Sequence, residues 1–302
     1  MTWLSNETVE RLRDLATRPA VSGDRYVILR PLGRGGMGTV YAARDAVLGR
    51  DVALKVSNAA VATGDLEARL QREAQVRARL EHPGIVPVHD AGVLEDGRVF
   101  YVMKLVQGET LEQHARTLTS EAARLGVFER IVETVAFAHA AGVVHRDLKP
   151  SNVMVGRFGE VLVLDWGVAR IVAEQDTARH ARIGTVGFMA PEQASGGAAG
   201  AGPAADVFAL GAVLSWLLSG ASIPRRLRAI VSKCTATEPD ARYPNAAALA
   251  EDLSRYRQGA PVSAYRDTWL ESAGAWFVRY RTFILLVLAY LVMRALLAIW
   301  TR

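Results

Sequence analysis

Apolar and polar positions alternate along the chain with two different periods, and the changes of period divide it. Tyr26-Val27-Ile28-Leu29 and Thr39-Val40-Tyr41-Ala42 are rich in β-branched and aromatic residues and flank Gly33-Arg34-Gly35-Gly36-Met37-Gly38. That order predicts a hairpin with a glycine tip. A turn at Leu48-Gly49-Arg50 leads into residues 51–56, a largely apolar strand with Lys55 inside it. Residues 65–80 contain no Gly or Pro and read as a helix, stopped by His82-Pro83-Gly84. Residues 85–88 and 98–106 read as two more strands, with Glu95-Asp96-Gly97 turning between them. Beyond Thr110 the period becomes helical: residues 111–118 and 120–141 predict two helices, the second ended by Gly142. Residues 153–155 and 160–164 predict a small hairpin. Near the start, Val9, Leu12 and Leu15 sit at helical spacing in a short segment, residues 5–17, that Arg18, Pro19 and Gly23 end.

The last apolar stretch, residues 283–300, carries one charge, Arg294. As a helix it spans ~27 Å, close to the thickness of a bilayer's hydrocarbon core. Arg279 and Arg281 precede it, so the positive-inside rule puts the preceding globular part in the cytosol. A single-pass membrane protein is expected, with residues 263–282 as the juxtamembrane segment. The alternative is a helix lying in the interface or packed on the globular part. No signal peptide is expected, because the N-terminus carries Glu7, Glu10, Arg11, Arg13 and Asp14 in place of an apolar segment.

Composition narrows the class. Half of the 302 residues are hydrophobic, which excludes a disordered tail and allows a large two-lobed domain. The net charge of +5 suits an anionic partner without choosing among nucleic acid, lipid and nucleotide. One cysteine, Cys234, excludes an internal disulfide and a cysteine zinc site. Only four lysines occur (Lys55, Lys104, Lys149 and Lys233) in a chain otherwise rich in arginine, so a lysine here hints at a need for a compact point charge.

The chemistry concentrates in Val143-Val144-His145-Arg146-Asp147-Leu148-Lys149-Pro150-Ser151-Asn152. Asp147 is its only carboxylate and can accept a proton from a hydroxyl nucleophile. Lys149 can neutralise an arriving phosphate, and the carboxamide of Asn152 can ligate a hard cation. Together they suit phosphoryl transfer, which is mostly positioning and charge neutralisation. Lys55 in an apolar strand needs a carboxylate or a phosphate beside it. Glu67 and Glu73 lie in the following helical segment, and Glu73 is the expected partner. The glycine tip can fold backbone N–H groups over phosphates.

Glycine tip, strand lysine, helix glutamate and catalytic loop occur here in an order that resembles the eukaryotic-like (Hanks-type) Ser/Thr protein kinases of bacteria, over residues from about 25 to 260. The resemblance implies an α+β, two-lobed fold: a β-rich N-lobe (25–105) over a helical C-lobe (106–262), with 1–24 as an N-terminal extension and 283–300 as a transmembrane helix. It implies ATP and Mg²⁺ in the cleft, with Gly33, Gly35 and Gly38 over the phosphates. Met103 corresponds to the gatekeeper, Lys104 to Val106 to the hinge, Val40 and Ala53 to the roof over the adenine, and Met154 to the floor. Asp165, in Asp165-Trp166-Gly167, and Asn152 correspond to the metal ligands, and Asp147 and Lys149 to the catalytic pair. Asp206 is expected to bind the catalytic-loop backbone, and Arg242 to pair with Glu192 of Ala190-Pro191-Glu192. Thr185 stands where such kinases place a threonine near the catalytic aspartate. Thr177 is then the candidate phosphosite, with Arg146 and Arg170 as receivers of its phosphate.

Four positions depart from the pattern: Trp166 for phenylalanine, Phe188 for tyrosine, Arg77 one turn after Glu73, and the short connection Ser219-Gly220-Ala221-Ser222-Ile223-Pro224 after the central helix. The reading that results is a membrane-tethered Ser/Thr protein kinase acting on proteins and not on nucleic acid, with self-association for autophosphorylation in trans. A non-catalytic ATP-binding scaffold and a small-molecule phosphotransferase are the alternatives.

Overall fold

A computed structural model of the chain describes residues 25–35, 38–60, 80–166, 170–171, 187–195, 202–220, 222–266, 280, 283–291, 293–294, 296–297 and 300. Its first part is an antiparallel sheet of five strands: β1 (Tyr26–Gly35), β2 (Gly38–Asp45), β3 (Arg50–Ala60), β4 (Val88–Val93) and β5 (Arg98–Lys104), in the order β1-β2-β3-β5-β4. The expected glycine-tipped hairpin is present, with Gly35 opposite Gly38. A Cβ on Gly38 would lie 2.2 Å from Val56 O, so β2 and β3 approach closely only because that position has no side chain. Tyr26, Tyr41, Val52, Leu54, Val56, Phe100 and Val102 form the core on one face of the sheet. The fourth strand begins at Val88 and not at Ile85. Pro87 has no N–H to give a ladder, and Ile85 instead bridges Val163 in the second lobe.

The second part is helical. After β6 (Gly108–Thr110), α1 covers only Leu111–His114, shorter than the expected 111–118, and turns through residues 115–117 complete the segment. The long helix α2 (Glu121–Ala140) starts where the Ser120 hydroxyl accepts from Ala123 N and ends before Gly142, whose φ of 75° needs no Cβ. β7 (Val143–Val144), β8 (Val153–Gly156), β9 (Val161–Val163) and β10 (Arg170–Ile171) form, with β6, two small sheets around the loop of interest, β10-β7 and β6-β8-β9. Four helices complete the lobe: α3 (Pro191–Ser195), α4 (Pro203–Leu217), α5 (Arg225–Cys234) and α6 (Ala246–Arg257). Helix α4 is largely buried, with Val207, Leu210, Val213 and Leu214 in one core with Phe128, Ile131, Leu227, Ile230 and Leu249. The shortened connection lets α5 pack directly on α4: a Cβ on Gly211 would lie 2.4 Å from Cys234 Cβ.

Arg242 locks this lobe. Its guanidinium donates twice to Glu192 (2.7 and 2.8 Å) and once each to the carbonyls of Ala236 (2.8 Å), Ala204 (2.9 Å) and Thr237 (2.9 Å). All five N–H groups are thus satisfied in a side chain with no exposure. Helix is recorded at 283–291, 293–294, 296–297 and 300, and its apolar side chains, such as Leu285 and Leu286, are exposed. Among the described residues no helix is long and apolar enough to cross a membrane, so the expected span over 283–300 is not seen as one element. The helix expected at 5–17 lies outside the described residues, as does that expected at 65–80 except for Leu80, which is not helical.

Removing one partner of the Arg242–Glu192 pair leaves a buried charge uncompensated. Arg242→Ala should lower stability to urea by about 3–5 kcal/mol, and Arg242→Lys by less, since it retains the charge without the fork. A loss below ~1 kcal/mol for Arg242→Ala would contradict this assignment.

Candidate active site

The loop after β7 has little regular structure, and a single carboxylate holds it. Asp206, in the first turn of α4, accepts the His145 N–H at Oδ2 and the Arg146 N–H at Oδ1, both at 2.7 Å. Two consecutive N–H groups reach one carboxylate because Arg146 adopts φ 73°. The third donor is His139 Nε2, at 3.0 Å. Its Nδ1 accepts from Ala246 N, which leaves the proton on Nε2 and the ring neutral. Burial pushes the Asp206 carboxyl up, but the hydrogen bond from His139 and the N–H of His145 outweigh it and hold it below the usual carboxylate range.

His145 is wholly buried and joins two further points. Its Nε2–H donates to Leu164 O at 2.8 Å, and its Nδ1 accepts from Asp147 N at 3.2 Å. The residues flanking those contacts are the two site carboxylates, Asp147 and Asp165. The Trp166 ring meets the His145 ring edge-on at 4.6 Å, and its indole N–H donates to Val163 O at 3.1 Å. Beside this clamp Asp165 is held at φ 61°. The indole bond is one that phenylalanine at this position would lack.

Asp147, Lys149 and Asn152 converge as the sequence suggested. Lys149 Nζ lies 2.9 Å from Asp147 Oδ2, and Asn152 Nδ2 donates to Asp147 O (2.8 Å) and Oδ2 (3.1 Å). The amide nitrogen of Asn152 is therefore committed to Asp147, and its carbonyl oxygen is the atom able to ligate a cation. Lys55, from β3, forms an ion pair with Asp165. That contact links the sheet to the helical lobe. Glu73, the expected partner of Lys55, lies outside the described residues, as do Thr177 and Thr185.

The remaining expected site residues lie in the sheet, directly after β5, in β8 and around β7. Val40 pairs with both Gly33 and Lys55, and Ala53 with Met103. Val40, Met103, Val106 and Met154 are half-buried. A Cβ on Gly33 would meet nothing within 4 Å, and on Gly35 only Gly38 O at 4.0 Å, so the space beside the tip is open. The Lys104 N–H is already bound to Pro87 O at 3.1 Å and is not a donor for a base. Arg146 is half-buried, and Arg170 contributes its backbone, paired with Val144.

Two functional residues carry no role in the sequence reading. Gln193 donates to Arg146 O at 3.0 Å and accepts from Ala190 N at 3.2 Å, tying the loop to the segment before α3. The other is His145, whose place directly before Arg146-Asp147 was the available signal. For Gln193 the sequence offered none. Among the described residues no cluster of three or more His, Cys, Asp or Glu forms a metal site. Two oxygen donors, from Asn152 and Asp165, fit a cation that keeps its remaining positions for water and phosphate, as Mg²⁺ does.

Residues 26–252 match the protein kinase domain family. The chain is 36% identical to the serine/threonine-protein kinase PknB of Mycobacterium tuberculosis, over 82% of this chain and 45% of that protein. It is 34% identical to PrkC of Bacillus subtilis, over 77% of this chain and 40% of that protein. With PknD of Chlamydia pneumoniae the identity is 32%, over 79% of this chain and 32% of that protein. The chain thus spans less than half the length of these curated relatives. Its fold is similar to the crystal structure of the M. tuberculosis PknI kinase domain, with a TM-score of 0.60 and 27% identity, covering 80% of this chain and 98% of that one. A catalytic loop anchored on Asp206, a strand lysine facing Asp165 and a family match over three-quarters of the sequence lead to one conclusion: the chain belongs to the protein kinase domain family.

Proposed function

We propose that this chain is a Ser/Thr protein kinase that transfers the γ-phosphoryl of ATP to protein hydroxyls and is tethered to the cell membrane with its catalytic domain in the cytosol. The observation that supports the activity is that the Lys55–Asp165 ion pair and the Asp147–Lys149–Asn152 cluster are joined where Leu164 N–H donates to Asn152 O at 2.8 Å. Asp147 orients the acceptor hydroxyl and receives its proton, while Lys149 offsets negative charge gathering on the transferring group. Lys55, freed from Asp165 when phosphate competes for it, holds the α- and β-phosphates, with Gly33, Gly35 and Gly38 over them. Asn152 and Asp165 would hold Mg²⁺, which would supply the positive charge that phosphoryl transfer needs. With the Lys104 N–H occupied, the hinge donor to adenine falls to Val106, between the Val40–Ala53 roof and the Met154 floor. Lys149 followed by Pro150 resembles the Ser/Thr subclass, and Thr185 serves that choice of hydroxyl. Thr177 is the regulatory phosphosite, read by Arg146 and Arg170, and the kinase reaches it in trans through self-association on the membrane.

The tether rests on residues 283–300. Leu285, Leu286, Leu288 and Leu291 are each more than half exposed, as is Trp300. An apolar surface on every side of a helix is favourable in lipid and unfavourable in water.

Incubation with labelled ATP should phosphorylate a protein substrate with wild type, while Asp147→Asn and Lys55→Met each reduce transfer by about a thousandfold. Asp147→Asn should still bind ATP, and peptide mapping of the wild type should place phosphate on Thr177. Equal incorporation by wild type and Asp147→Asn overturns the activity, and ATP binding without transfer by the wild type supports the scaffold reading instead. Alkaline carbonate extraction should leave the chain in the membrane pellet. Release into the soluble fraction overturns the spanning helix.

A further inference from the structure

Helix α5 carries Arg225, Arg226, Arg228 and Lys233 and no carboxylate. Together with residues 263–265 it forms an open groove of about 610 Å³, lined by Arg225, Arg228, Ser232, Lys233, Ser263 and Tyr265. None of these residues belongs to the phosphate cleft. Arg225 and Arg228 are exposed. Among the described residues, the nearby carboxylates are few or committed. Asp252 is buried and accepts from Tyr243 Oη, Ser263 N, Ser263 Oγ and Ala264 N, and Glu251 pairs with Arg255. Glu238 and Asp240 are exposed at the turn that flanks the groove.

The same helix holds the chain as it leaves the lobe. Arg226 donates to Gly259 O (3.2 Å) and Ala260 O (3.4 Å). Lys233 donates to Ser263 Oγ at 3.0 Å, with its ammonium 4.3 Å from the centre of the Tyr243 ring. The basic groove and the exit of the chain are therefore fixed to one another. From Asp267 to Thr282 the sequence allows at most about 55 Å of extended chain before the apolar segment at Phe283.

We propose that the α5 groove docks on the anionic phospholipid headgroups of the membrane that holds residues 283–300. The proposal rests on the reading that this segment inserts into a bilayer. Guanidinium forks fit phosphate oxygens, and the exposed Ser232 hydroxyl offers a further donor. Each basic residue close to an anionic leaflet is worth about a fivefold gain in partitioning, and the attraction fades within a Debye length of ~10 Å. Only a face presented at the surface collects that gain. A tether leaving the lobe beside α5 keeps this one within reach of the surface. A polypeptide partner is less favoured, because the groove offers Tyr265 as its single aromatic contact and otherwise small or charged side chains.

The test uses the full chain in lipid nanodiscs, with Ser232→Cys as a reporter in the groove. Cys234 supplies little background, since it is buried and burial pushes its thiol up. Labelling by a water-soluble maleimide should slow by at least ~fivefold when about a third of the phosphatidylcholine is replaced by phosphatidylglycerol. Raising NaCl to about 0.5 M, or combining Arg225→Glu with Arg228→Glu, should restore the rate. Arg225→Gln with Arg228→Gln repeats the test if the charge reversal disturbs folding. Equal rates in neutral and anionic discs that both contain the chain overturn the docking and leave the tether intact. Failure to enter neutral discs overturns the tether, and the docking with it. Equal slowing by a soluble polyglutamate peptide in neutral discs assigns the groove to a polypeptide and overturns the lipid reading.

Discussion

The Asp206 carboxylate is the point from which the site is built. It is charged, 1% exposed and placed in the first turn of a helix, where the N-terminal partial charge favours an anion. A buried carboxylate without donors would cost several kcal/mol. Two consecutive backbone N–H groups and one neutral imidazole supply the donors instead. The left-handed Arg146 is the local strain this arrangement accepts, of order 1 kcal/mol. From there the order propagates through His145, whose two ring nitrogens hold the backbone at Leu164 and at Asp147. Both carboxylates that face the phosphate region thus take their positions from one buried charge.

Much of this was legible in the letters. Hairpins announced by glycines and a helix as long as α2 follow from local pattern, because the signal repeats over many residues. Asp147, Lys149 and Asn152 were legible as a group because they are close in sequence and come together without long-range help. Where distant packing decides, the pattern failed. Residues 85–88 look like a strand, yet Pro87 has no N–H and Ile85 finds its partner, Val163, in the other lobe. Residues 111–118 keep helical spacing, but the helix ends at His114. Gln193 acts through its amide on a loop 47 residues away, and no local rule marks such a residue. The Lys104 N–H is taken by Pro87 O, a contact of the hinge segment that spacing alone does not show. The strand lysine was expected to need a carboxylate, and the described partner is Asp165.

The short connection between α4 and α5 joins the catalytic lobe to its outer surface. Gly211 lets the two helices touch, so α5 buries Leu227, Ile230 and Cys234 against the central helix. The opposite face of α5 is then exposed and keeps its arginines. Two of its four basic side chains are used to hold the departing chain. The helix that seals the core therefore also sets the direction in which the polypeptide leaves.

The most direct test of the account is the phosphoryl-transfer rate of Asp206→Asn measured beside its ATP affinity. The carboxamide retains the size of the side chain but turns one acceptor into a donor facing backbone N–H groups. Displacing the loop should lower the rate by about a hundredfold. ATP affinity should fall far less than the rate, because the glycine tip and the hinge do not depend on that carboxylate. A folded Asp206→Asn protein that transfers phosphate at the wild-type rate would show that the loop is held by something else.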